Sequence, residues 1–508
     1  MVAYLITQII GLLRNVVISD AFGTSAALDS FYAANRVTEL LFNLVAGGVL
    51  GSAFIPAFTG LLAHHQRERA WKLASAVANL LLILLILISL LAAVFAPQIV
   101  RYGLYVLAPG QNSGQEDLSI SLLRLMMPTV VIFGLSGLAM GILNAHQKFW
   151  LAAIAPAMYS LGQIAGVLFL SQSLGILRLA YGVLAGSGLF FLVLLPDLLR
   201  LQGKYHPSFD LGMPEVRQVM RLMGPRILGA AVVQINFIVN IMIALGLPNG
   251  SVSAITYAFT LMLMPQAAIA QSIAVAAMPT FSAQAAQGKL DDMRASLASS
   301  LRSVLLLAVP ASLGLILLRT PLVRLLYEHN EFTPRSTEMV AWALLWYAAG
   351  LVGHCLLEVI VRAYYALQDT RTPVAVGVVA MSLNIAFSFV LSRWFSQIGW
   401  MPHGGLALAN SLATALEMTA LLILLRRKLG GLQGRSILSG LGLAMVSGLG
   451  MSTGLLVWSR ASVGLPSFAV TLGGVILGGG IYLLGMLVLR VPEMRQLLDI
   501  LRRRFSRI

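Results

Sequence analysis

Arg14, Arg36, Arg124 and Arg226 sit within stretches that are otherwise hydrocarbon. Asp20, Asp29 and Glu39 lie in or beside the first two of these stretches, and Glu358 and Glu417 in later ones. A charge at the centre of a bilayer costs about 2.5–3.5 kcal/mol on insertion scales, so each must find a partner, a water-filled cavity or the interface. Asp20 and Asp29 flank the tight "AFGTSAAL" turn and can be interfacial. Arg226 and Arg362 fall near span ends and can snorkel. Arg14, in "GLLRNVVISDAF", is deep if its helix starts near residue 1 and rises about 1.5 Å per residue. It either lines a cavity or pairs with Asp29 or Glu39. A guanidinium is permanently charged and binds bidentately, so an arginine lining a cavity suits an anionic group such as phosphate. Nothing in the sequence points to covalent chemistry. There is no Walker motif and no Ser/His/Asp arrangement at useful spacing. The seven histidines are scattered without metal-ligand spacing, and the single cysteine, Cys355, lies in an apolar run. The expectation is a transporter rather than an enzyme, with no catalytic residue, no metal site and no cofactor. A coupling cation, the membrane potential or the substrate gradient would drive it.

The elements that must position these residues are membrane helices. Of 508 residues 58% are hydrophobic and 10% charged, against about 25% charged in soluble proteins. Apolar runs long enough to cross a hydrocarbon core of about 30 Å recur throughout, "LASAVANLLLILLILISLLAAVFA" (73–96) being the clearest. The predicted fold is an all-α polytopic membrane protein of about fourteen spans: 1–21, 28–58, 74–96, 119–146, 149–171, 176–199, 219–246, 252–281, 297–318, 337–366, 373–393, 403–425, 436–458 and 467–490. The second is long for a span and predicted to bend or lie partly in the interface. Basic residues concentrate in alternate loops and in the tail "LRRRFSRI", which favours cytoplasmic N- and C-termini. That bias also explains the net charge of +15 without nucleic acid. The basic tail reads as a topology anchor on anionic membrane lipid. No cleavable signal peptide is expected. The first span lacks a basic flank, from which a start upstream of Met1 or a trimmed terminus is expected.

The first twelve spans read as two copies. "AFIPAFTGLL" (53–62) resembles "AAMPTFSAQA" (276–285), "NAHQKFW" (144–150) echoes "YALQDTR" (365–371), and "YSLGQIAGVLFL" (159–170) resembles "MSLNIAFSFVL" (381–391). The shared offset of about 222 residues is the evidence. Six spans per copy make the repeats parallel, a design that places substrate between two lobes. The predicted organisation is 1–200 as an N-lobe of six spans, 201–428 as a C-lobe of six, and 429–508 as two further helices with the basic cytoplasmic tail.

The motifs "GLLRNVVISDAFGTSAALDSFYAA", "GSAFIPAF", "YAFTLMLMPQAAIAQSIAVAAMPTFS", "LLYEHNEFT" and "RAYYALQDTRTPVAV" resemble the MurJ/MviN family of lipid II flippases, in the multidrug/oligosaccharidyl-lipid/polysaccharide exporter superfamily. The resemblance spans most of residues 5–395. It implies two six-helix lobes around a cavity, with the last two helices forming a groove for a lipid tail. It also implies a monomer in the bacterial plasma membrane. The implied activity is transfer of the undecaprenyl-pyrophosphate-linked peptidoglycan precursor to the outer leaflet, with cavity arginines on the pyrophosphate. Where the family's first span reads Ser-Arg-x-x-Gly-x-x-Arg, this chain has "TQIIGLLR": Arg14 is kept and Gln8 replaces the earlier arginine. Asp29 and a basic residue at Arg36 are kept. In "FNLVAGG", Asn43 and Gly47 stand where the family has an arginine and a glutamate, and Thr260 in "YAFT" replaces a third arginine. The implied substrate-binding set is Arg14, Arg36, Asp29, Gln8, Asn43 and Thr260. Arg226 in "MGPRILG" is expected to restore part of the lost charge. The neutral positions leave two alternatives open, a flippase for another polyprenyl-linked glycan and an ion-coupled exporter of small amphiphiles.

Overall fold

The computed structural model describes residues 2–44, 54–108, 113–207 and 209–493, with the side chains of 2–5, 113, 222–230 and 232 outside that description. Arg226's side chain, Gly47 and the basic tail therefore lie outside the described residues. Among the described residues there are seventeen α-helices and no strand. The chain separates into two compact units, Met1–Ser253 with His329–Phe332 and Ala254–Glu328 with Thr333–Ile508.

Unit 1 holds α1 (Val2–Phe22), α2 (Ala26–Phe42), α3 (Ile55–Ala63), α4 (Arg67–Val94), the short α5 (Ala96–Gln98), α6 (Ser113–Ala145), α7 (Phe149–Phe169), α8 (Leu177–Arg200) and α9 (Pro214–Leu245). It also takes the first residues of α10 (Ser251–Gln266). Unit 2 holds the rest of α10, α11 (Ser272–Ala286), α12 (Leu290–Tyr327), α13 (Pro334–Ala366), α14 (Arg371–Gln397), α15 (His403–Lys428), α16 (Gly434–Ala461) and α17 (Ser467–Val488). Every expected span falls on one helix or on a consecutive pair. Eleven helices among the described residues are long and apolar enough to cross a membrane by length and composition. The long second span resolves into α2 and α3, with 45–53 outside the described residues. The eighth is α10 and α11 joined by a π-helical turn, Ala267–Gln271. Pro265 lies just before that turn. It has no N–H for the helical ladder and its ring crowds the preceding turn, and an added residue per turn relieves both.

Small residues set the closest approach in unit 1. Gly162 and Gly166 on α7 face Gly182 and Gly186 on α8. A Cβ at Gly162 would lie 2.2 Å from the Gly186 Cα, and one at Gly166 would lie 2.5 Å from the Gly182 Cα. In lipid there is no hydrophobic drive between helices, so backbone proximity supplies the packing energy. Beside this seam Ala139, Leu143, Ala155, Phe190 and Leu194 form a buried core. On α4, Ile83, Ile86, Leu87, Leu90 and Val94 are exposed, the apolar face a bilayer would cover.

The sequence repeat reappears in the turns. Gln147, after α6, and Gln368, after α13, both take left-handed φ, +58° and +57°. In each case the next amide bonds back to the carbonyl five residues before it, Lys148 to Leu143 at 2.9 Å and Asp369 to Tyr364 at 3.0 Å. This is a Schellman end, which satisfies carbonyls the helix leaves free and offsets the roughly 1–2 kcal/mol cost of a non-glycine residue there. The ends of α3 and α11 match in the same way, with Gln66 bonding to Leu61 and Lys289 to Gln284, both at 2.9 Å. In unit 2 the carboxylate of Asp369 then caps α14, accepting from the Thr372 amide at 3.0 Å and from Lys428 Nζ at 2.6 Å.

Candidate functional site

The first turn fixes the helices that carry the charged residues. Gly23 has φ +57°, and a Cβ there would lie 2.3 Å from the Glu331 carbonyl oxygen, so only glycine fits. Asp20 receives the Asn330 side-chain amide at 2.7 Å, and Ser25 caps α2 by accepting from the Leu28 amide at 3.3 Å. One turn into α2, Asp29 is buried, 4% exposed. It accepts from the amides of Gly250 and Ser253 at 2.6 and 2.7 Å, and from the Ser253 hydroxyl at 2.5 Å. Here the expectation and the structure part. The carboxylate addresses no arginine among the described residues; it anchors the start of α10, whose free amides need an acceptor.

Arg14, half-buried on α1, makes no ion pair among the described residues. Its Nε and Nη2 donate to Asn15 Oδ1 at 3.2 and 2.9 Å, so neither Asp29 nor Glu39 takes its charge. Arg36 on α2 does pair, its Nη1 lying 2.6 Å from Glu39 Oε2. Its guanidinium stacks 4.0 Å from the Phe237 ring centroid. The Nε is buried and makes no hydrogen bond. Asn35 Nδ2 donates to the other Glu39 oxygen at 2.9 Å.

Glu39 opens onto a cavity of about 370 Å³ inside unit 1. Asn35, Thr38, Glu39, Phe42 and Asn43 form its α2 wall. Opposite stand Phe133 of α6, Tyr159 of α7 and Phe190 of α8. Arg14 lies on α1, which packs on α7, the helix that carries Tyr159. Arg36 reaches the cavity only through its ion pair with Glu39, which lines it.

Of the expected residues, Asn43 lines this cavity, Arg36 is paired with its Glu39, and Arg14 bonds to Asn15 on α1. Gln8 is exposed on α1. Thr260 belongs to unit 2, where its hydroxyl bonds back to the Thr256 carbonyl at 2.9 Å. Tyr159, Phe133 and the α2 wall were missed as site residues. The wall carried a signal, because 35, 38, 39, 42 and 43 follow the i, i+3, i+4, i+7, i+8 spacing of one helix face. Among the described residues no cluster of three His, Cys, Asp or Glu could hold a metal ion.

Unit 2 carries a different site, an apolar groove of about 560 Å³ along α12, α16 and α17. Leu307 and Gly314 line it from α12, Met451 and Leu455 from α16, and Gly474 and Gly478 from α17. Gly474 and Gly478 let α17 close on Leu318 and Leu455, which a Cβ would approach to 2.8 and 3.1 Å, and Tyr482, also lining the groove, donates its hydroxyl to the Leu306 carbonyl at 2.7 Å.

A multi-pass helical bundle with an arginine ion-paired at an internal polar cavity, and an apolar groove in a second unit, is a membrane transporter. Its fold is that of the MOP superfamily. A solved multidrug resistance MATE family transporter of that superfamily, inward-facing, matches with a TM-score of 0.71 over 84% of this chain and 94% of its own, at 16% identity. A lipid II flippase MurJ structure, in an inward closed conformation, matches with a TM-score of 0.82 over 98% of this chain and 99% of its own, at 24% identity. The family model for lipid II flippase MurJ matches residues 18–473. The probable lipid II flippase MurJ of Vibrio cholerae is 30% identical over 505 residues, covering 96% of this chain and 94% of that protein. The lipid II flippase MurJ of Burkholderia cenocepacia is 31% identical over 433 residues, covering 84% and 82%. This chain belongs to the lipid II flippase MurJ family.

Proposed function

We propose that this chain moves lipid II, the undecaprenyl-pyrophosphate-linked peptidoglycan precursor, from the inner to the outer leaflet of the bacterial plasma membrane by alternating access. The observation that carries this is the pair of guanidiniums in unit 1, Arg14 without an ionic partner among the described residues and Arg36, paired with the cavity's Glu39, with a buried Nε–H that bonds to no described residue. Both are donors suited to a pyrophosphate. The apolar groove of unit 2 supplies a surface for a polyprenyl tail. The loop charges support cytoplasmic N- and C-termini. The chain works as a monomer, with membrane lipids around it and no nucleic acid partner, and the membrane potential or a coupling cation drives the cycle.

The test is complementation in a bacterium depleted of its own lipid II flippase, reading growth and lipid II exposure on the outer leaflet. Rescue by the parent and its loss with Arg14→Ala is the expected result. Lack of rescue by a folded, membrane-inserted parent overturns lipid II as the substrate. The second reading, a flippase for another polyprenyl-linked glycan, would then be taken up. It is favoured by the neutral Gln8, Asn43 and Thr260 where the family carries cations.

A further inference from the structure

The unit 1 cavity carries more than phosphate chemistry. Behind its polar α2 wall the aromatic rings of four helices touch one another. Phe133 meets Phe42 at 5.5 Å, Tyr159 edge-on at 5.0 Å and Phe190 edge-on at 5.6 Å between centroids. Aromatic rings beside a carboxylate and amides serve one of two ligands. A cage for an organic cation needs an anion free to attract it. A seat for a sugar needs a ring face for the sugar's C–H surface, and acceptors and donors for its hydroxyls. Charge decides between them. Glu39 is ion-paired with Arg36 and bonded by Asn35. A cation gains nothing here. A carboxylate has about four lone-pair sites, so Glu39 can still accept from hydroxyls while paired. The Tyr159 hydroxyl, which lines the cavity, makes no hydrogen bond to any described residue. The volume of about 370 Å³ is at the small end of ligand pockets, about 300–1,000 Å³. It has room for one ring, not for a whole glycan head.

We infer that this cavity is a subsite for one pyranose ring of the lipid-linked glycan. The ring lies against the Phe133 cluster, its hydroxyl or acetamido groups meet Tyr159, Glu39 and Asn43, and its phosphate is left to Arg36, which Glu39 holds beside the cavity. The inference rests on the flippase reading and deepens it, since the same site would read both the phosphate and the first sugar.

The experiment measures binding of two probes to the purified full chain in lipid nanodiscs, lipid II and undecaprenyl pyrophosphate, which lacks the sugars. Tyr159→Phe keeps the ring and removes only the hydroxyl. It is expected to weaken lipid II about three- to tenfold, as loss of one neutral hydrogen bond does, and to leave undecaprenyl pyrophosphate unchanged. Phe133→Leu, checked for folding by its melting temperature, is expected to show the same selectivity, whereas Arg14→Ala weakens both probes. Equal loss of both probes in Tyr159→Phe, or no loss of either, overturns the sugar subsite. So does a parent that binds the two alike, which leaves the flippase reading standing. A parent that binds neither overturns the flippase reading itself. Tetraphenylphosphonium displaced from the parent by Phe133→Leu would assign the cavity to an organic cation instead.

Discussion

At the residue scale, Glu39 decides how much of the Arg36 charge a substrate meets. The two are 2.6 Å apart on one face of α2, with Glu39 43% and Arg36 19% exposed in their side chains. Partly exposed pairs of this kind are worth about 0.2–1 kcal/mol. Glu39→Gln removes the competitor and keeps an acceptor for Asn35, so undecaprenyl pyrophosphate is expected to bind about two- to fivefold more tightly. The gain should vanish when Arg36→Ala is added, and titration of the two variants in nanodiscs checks it. Asp29 has a different role. It satisfies two buried amides and a hydroxyl at the start of α10. Asp29→Ala strands them, at about 1–3 kcal/mol for each buried group left without a partner. A clear drop in melting temperature is expected, with Asp29→Asn falling between the two. An unchanged melting temperature with weakened lipid binding would return Asp29 to the substrate site. Sequence alone singled out both acids as polar groups in oil. It could not separate them, because their roles depend on chain segments about 220 residues away for Asp29 and only four for Glu39.

At the scale of elements, hydropathy made nearly everything legible, since each membrane helix must satisfy its own backbone and show lipid an apolar face. The π turn after Pro265 was not legible. It follows from one lost amide at Pro265, which leaves the apolar run unbroken. The repeat survived as turn geometry where residue identity had drifted: Gln147 and Gln368 keep the left-handed bend while their neighbours differ. The α7–α8 seam was present in the sequence as two pairs of glycines four residues apart, but only the structure pairs them. Gly162→Ala would push its Cβ to 2.2 Å from the Gly186 Cα, with no flexible side chain to yield. The helices must part, at about 1–3 kcal/mol by analogy with overpacked cores. Gly188→Ala, with nothing within 4 Å of its Cβ, is the matched control. It is expected to be neutral or slightly stabilising through the helix propensity of alanine, about 1 kcal/mol. Thermal melts of the two variants in the same detergent compare them directly.

For the whole molecule, each unit offers what the other does not. Unit 1 has an ion-paired arginine, aromatics and hydrogen-bonding groups at a small cavity; unit 2 has a long apolar groove lined in part by glycine. An anionic sugar head has groups to meet in unit 1 and a long isoprenoid tail has a surface to meet in unit 2; a small amphiphile has no need of the groove. The discriminating change is therefore one in the groove. Gly479 lines it, and a Cβ there meets nothing within 4 Å, so Gly479→Phe places a ring in the groove without forcing α17 from its neighbours. Lipid II with its full undecaprenyl tail is expected to lose affinity in this variant, by about tenfold if the ring displaces the equivalent of two buried methylenes at about 0.8 kcal/mol each. A lipid II analogue with a short prenyl tail should bind parent and variant alike, because its head still finds unit 1. Loss of both substrates would mean that the ring disturbs the fold. Loss of neither would place the tail elsewhere and leave the groove to the surrounding bilayer lipid. A length-dependent loss assigns the tail to the unit 2 groove, because the head is the same in both probes.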